Sequence, residues 1–68
     1  MLEIRDCCGR LACKGDAFTG LIESVYKKSC TRTKLAIGAT IHFEREGIAT
    51  DVTRVDDQSF QVKSDVIK

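Results

Sequence analysis

The residues of this 68-residue chain whose types could do chemistry are four cysteines, one histidine and a short run of cations. Cys7, Cys8, Cys13 and Cys30 suffice in number for a structural zinc ion, which would reinforce so short a polypeptide. Their spacing argues against one. Zinc knuckles present Cys pairs separated by two to four residues so that two thiolates converge, whereas Cys7 and Cys8 are adjacent and would point apart in a strand. The reading is therefore of reduced thiols that serve as small apolar fillers, with no metal and no cofactor; a zinc-stabilised domain on these four cysteines stands as the second alternative.

Catalysis has little to work with. His42 alternates onto the same side as Glu44, the pattern of a solvated surface imidazole, and no glycine-framed Ser or Cys nucleophile accompanies it. The remaining carboxylate pairs, Glu44 with Glu46 and Asp56 with Asp57, fall where the chain reverses. Gly9, Gly15, Gly20, Gly38 and Gly47 stand singly, at spacings that match neither a dinucleotide fingerprint nor a phosphate-binding loop. The chain is read as non-enzymatic.

The cations are more specific. Lys27-Lys28-Ser29-Cys30-Thr31-Arg32-Thr33-Lys34 places four of them in eight residues without an acid. Tyr26 stands beside them as a surface for stacking a base, and Arg10 and Lys14 could extend the patch. That is the case for nucleic-acid binding. Against it, the net charge is only +1 and aromatic residues are 6% of the chain, with Phe43 and Phe60 assigned to the core. The two halves differ in sign: residues 1–34 carry seven basic and four acidic side chains, and residues 35–68 carry four basic and six acidic. Complementary halves favour docking of one copy on another or on a protein partner, so an interaction module that can self-associate is the leading reading, and a nucleic-acid-binding domain the alternative.

These residues need elements to position them. Thr40-Ile41-His42-Phe43-Glu44-Arg45 alternates with period two, the signature of a half-buried strand. Glu46-Gly47 suits a tight hairpin turn, and the β-branched run Ile48–Val55 reads as the returning strand. Ile48 and Val52 share a face while Val55 lies on the other, so a bulge between them is expected. Asp56-Asp57-Gln58-Ser59 is turn chemistry ahead of a last strand from Phe60, and 65–68 reads as a C-terminal tail to a single domain over 1–64. Near the start, Leu2 and Ile4 alternate, Asp6-Cys7-Cys8-Gly9 is a turn, and Leu11 and Cys13 oppose Arg10, Ala12 and Lys14.

Residues 17–28 admit two readings. Phe18, Leu21, Ile22, Val25 and Tyr26 fit a helical stripe capped by Asp16, yet Gly20 and the β-branched Thr19, Ile22 and Val25 disfavour a helix interior. The strand reading is preferred, with Leu21 and Val25 on one face, Ile22 and Tyr26 on the other, and pairing to 31–37 across the basic turn. The fold expected is all-β, a small barrel-like domain of six or seven short antiparallel strands. The alternative is α+β, one helix over 17–28 on an antiparallel sheet. No run approaches the roughly 20 apolar residues of a membrane span, and positions 1–15 lack the apolar stretch of a signal peptide, which points to a cytoplasmic chain without membrane contact. With no proline to blunt an edge strand, association through an edge gains weight.

Overall fold

The structure, a computed structural model, describes residues 2–26 and 28–67, and of Tyr26 the backbone alone. It is all-β. Seven antiparallel strands follow one another as β1 (Leu2–Arg5), β2 (Leu11–Asp16), β3 (Leu21–Tyr26), β4 (Ser29–Lys34), β5 (Thr40–Arg45), β6 (Ile48–Arg54) and β7 (Phe60–Val66). They form two meanders rather than a closed barrel: sheet A in the order β1-β2-β3-β4, and sheet B in the order β5-β6-β7. Among the described residues none is helical, which decides residues 17–28 for the strand reading.

That strand begins later than the pattern suggested, because the chain first turns. The Asp16 carboxylate accepts the Phe18 amide at 3.1 Å and the Gly20 amide donates to the Asp16 carbonyl at 2.7 Å, so Asp16 closes a turn and caps no helix. Gly20 takes φ +81°, a left-handed conformation that a side chain disfavours, and β3 starts at the next residue. Its partner β4 occupies Ser29–Lys34, short of the expected Ile37; Leu35 turns into the core and its amide donates to the Gly20 carbonyl at 2.8 Å.

The Glu46-Gly47 hairpin is as expected, with both residues at positive φ. The expected bulge in β6 is absent: its register to β5 and β7 is unbroken, and the chain leaves the strand at Arg54, so Val55 lies in the following turn and its phase needs no reconciliation. A bulge occurs instead between β1 and β2, where pairing passes from Ile4↔Cys13 to Arg5↔Leu11 and skips Ala12. Ala12, placed on the outward side by simple alternation, is buried as a result. β7 continues through Asp65 and Val66, and the Ile67 amide donates to the Gly47 carbonyl at 2.7 Å, so pairing extends into the segment assigned to the tail.

Ile4, Cys13 and Ile22 from sheet A meet Val52 from sheet B and Leu35 from the connection, with Ala39, Ile41, Phe43 and Phe60 packed against them. Val52 and Ile22 are 0% and 1% exposed. The radius of gyration, 11.2 Å, agrees with the roughly 11 Å of a compact chain of this length. No helix of the described residues is long and apolar enough to cross a membrane.

Candidate functional site

Two arginines join the sheets, and both lie on the inward phase of their strands. Continuing the inward phase of Ile41 and Phe43 along β5 arrives at Arg45, and that of Ile48 and Val52 along β6 arrives at Arg54. Arg54 donates to the carbonyls of Ala17 (2.9 Å), Leu35 (2.9 Å) and Phe18 (2.8 Å), fastening the β2–β3 turn and the β4–β5 connection to the end of β6. Arg45 donates to the Ala12 carbonyl at 2.9 Å and to the Ser24 hydroxyl, and its guanidinium lies 5.2 Å from the centre of the Phe43 ring. The planar fork of arginine suits several carbonyls at once. With these two charges turned inward, the outward charge of sheet B is more acidic than its composition.

The antiparallel order puts three connections at one end of the molecule: the β2–β3 turn, the β4–β5 connection and the β6–β7 turn, with Leu2 at the start of β1 beside them. Each presents an apolar side chain to solvent. Phe18 is 76% exposed, Ile37 60%, Leu2 57% and Val55 48%. Arg54 holds two of these connections directly, and the Gly38 amide, which donates to the Arg54 carbonyl at 2.7 Å, ties the β4–β5 connection to the end of β6 a second time. Acids stand among them. Asp16 faces the Phe18 amide, and Asp56 accepts the Gln58 amide at 2.8 Å and the Ser59 hydroxyl at 3.1 Å, which holds its carboxyl below the ordinary carboxylate range. Leu2, Phe18 and Asp57 line one open hollow.

At the opposite end lies a cleft of about 120 Å³ between the sheets. Leu11, Val25, Phe43 and Ile48 supply its apolar wall, and the ion pair of Arg10 with Glu46 stands at its side.

The residues singled out for nucleic acid are dispersed. Register sets Glu3, Lys14, Glu23 and Arg32 side by side across sheet A, alternating in sign, and Arg32 pairs with Glu23 at 3.0 Å. Lys28, in the β3–β4 turn, and Lys34, at the far end of β4, are separated by about 20 Å of strand. Arg10 is committed to Glu46. Lys27 and the Tyr26 side chain lie outside the described residues. Among the described residues these cations are spread over the edge strand β4, β2 and two turns, with acids beside Arg10, Lys14 and Arg32, and form no single patch.

The cysteines are also divided. Cys7 and Cys8 are exposed in the β1–β2 turn, Cys30 is exposed on β4, and Cys13 is buried, its thiol pushed up to about 11 by desolvation against the opposing charge of Arg45. Among the described residues no three His, Cys, Asp or Glu side chains come together as a metal site. His42 lies on the outer face of sheet B with Nδ1 on the Asp51 carboxylate and Nε2 3.4 Å from Glu44. Comparison with known protein families, with curated proteins and with solved structures finds no match to this chain.

Proposed function

We propose that the protein is a non-enzymatic interaction module whose partner is a second copy of itself, met end to end. The observation that carries this is the apolar rim of Leu2, Phe18, Ile37 and Val55, exposed at the end where Arg54 holds the β2–β3 turn and the β4–β5 connection. A chain of 68 residues has a small core, and leaving four large apolar side chains in water at one end forgoes burial worth about 1.5–3 kcal/mol each. Neighbouring exposed apolar groups rimmed by charge favour contact with another macromolecule.

A second copy fits for two reasons. The apolar-walled cleft of about 120 Å³ at the other end is open to an incoming side chain, and Phe18 is the most exposed large apolar side chain among the described residues. The rim gathers Asp16, Asp56 and Asp57 with Lys34 at the end of β4, while the far end presents Lys28 at the tip of the β3–β4 hairpin beside the Arg10–Glu46 pair, so rim carboxylates of one copy have Lys28 of the next to meet. Contact of one end with the other is heterologous, so it builds a ring if the rotation closes and a fibre if it does not. Rim contacts of this size are weak and concentration-dependent.

The test is sedimentation equilibrium across a dilution series, with Phe18→Ser as the variant. The mass of the wild type rises with concentration and that of Phe18→Ser does not, while both unfold at the same temperature because Phe18 lies outside the core. A strict monomer at every concentration defeats the proposal. So does a monomer that binds oligonucleotides at low salt and loses them as salt rises, which would favour the basic strand instead.

A further inference from the structure

Cys7 and Cys8 differ from the other two thiols in being exposed neighbours in a turn whose amides from Asp6 to Arg10 are all hydrogen-bonded. The Asp6 amide donates to the Arg10 carbonyl at 2.9 Å and the Gly9 amide to the Asp6 carbonyl at 3.0 Å. One oxygen of the Asp6 carboxylate accepts the amides of Cys8 (2.9 Å) and Arg10 (3.0 Å). Arg5 donates to the Gly9 carbonyl at 3.0 Å, and the Cys7 amide donates to the Ser64 hydroxyl at 3.0 Å, anchoring the turn to β7. The backbone carrying both sulfurs is therefore already ordered, and a ligand that takes both meets little further ordering cost.

We propose that the Cys7-Cys8 turn is a dithiol site for thiophilic ligands of the trivalent arsenical class, bound through both sulfurs at once. Desolvation first, then the charge and hydrogen-bonding of the neighbouring Cys7 thiol and the Asp6 charge, against the opposing charge of Arg10, raise the Cys8 thiol above its ordinary value. An arsenoxide condenses with two thiols: two S–H bonds and the As=O bond are lost, two As–S bonds form, and both protons leave with the oxygen as one water, without oxidation or reduction. The first As–S bond makes the second intramolecular, so a neighbouring pair gains about 10²–10⁴ in avidity over one sulfur. Cys30, alone on β4, and Cys13, buried, lack this advantage.

The experiment is titration of the reduced full-length chain with phenylarsine oxide, followed by mass spectrometry and by counting free thiols. The wild type and Cys30→Ser each take one arsenical per chain with loss of two thiols and one water. Cys7→Ser and Cys8→Ser, at exposed positions, keep the fold by circular dichroism and bind at least about 100-fold more weakly. Equal affinity in Cys7→Ser, loss of binding in Cys30→Ser, or one arsenical bridging two chains would each overturn the proposal.

Discussion

The imidazole of His42 lies between two carboxylates on the outer face of sheet B, and that placement gives stability a pH dependence with a definite sign. The hydrogen bond to Asp51 is the main cause that raises its pKa above the ordinary 6.5; desolvation opposes it, and the charges of Asp51 and Glu44 add to it. A folded value above the unfolded one means that the pair stabilises fully below about pH 6.5 and loses its contribution as pH rises through the folded value. The melting temperature of the wild type relative to His42→Gln is expected to be highest near pH 5 and to fall to a plateau on the alkaline side; parallel curves would refute it. Gly20 makes a different demand. It holds φ +81°, and a Cβ there would collide with the Leu35 carbonyl and approach the Arg54 guanidinium at 2.8 Å. Gly20→Ala combines left-handed strain with that collision, so a loss of more than about 2 kcal/mol in urea denaturation is expected, from a total of roughly 3–10 kcal/mol.

Among the elements, the connections at the rim depend on Arg54 more than on their own sequences. Its three donors go to carbonyls on two separate segments, and a lysine ammonium cannot reach all three in one plane. Arg54→Lys is expected to lower stability by about 2 kcal/mol or more at unchanged denaturant slope. A loss below about 0.5 kcal/mol would show the guanidinium to be an ordinary surface charge. The same register logic accounts for the basic strand. β4 is an edge of sheet A with an open hydrogen-bonding side, and lysine or arginine along such an edge opposes pairing with a like edge. Cations that read as a ligand patch in one dimension thus also serve to keep two β4 edges apart.

For the whole molecule, the turning of Arg45 and Arg54 between the sheets separates the surface charge further, leaving Glu44, Asp51 and Asp65 outward on sheet B with Lys63 and His42. The proposed end-to-end association would combine a salt-insensitive apolar contact at Phe18 with a charge contribution that salt screens beyond about 10 Å at 0.1 M. Raising salt is accordingly expected to weaken association of the wild type only partly, whereas Phe18→Ser abolishes it at any salt. Association abolished by salt alone would place the contact on the charged faces.

The strands of sheet B, both flanking turns and the N-terminal hairpin were legible from period two and turn chemistry, because those signals are local. Residues 17–28 were ambiguous for the same reason: a stripe at positions 18, 21, 22, 25 and 26 satisfies a helix or a strand until a partner strand is in place, and β2 and β4 decide it. The inward phase of Arg45 and Arg54 is present in the alternation, but nothing local supplies their partners; only carbonyls and a hydroxyl brought from distant segments offset the partial burial of a guanidinium. The grouping of Leu2, Phe18, Ile37 and Val55 had no sequence signal at all. Three connections and the start of β1, separated along the chain, become one surface only when antiparallel strands return them to the same end.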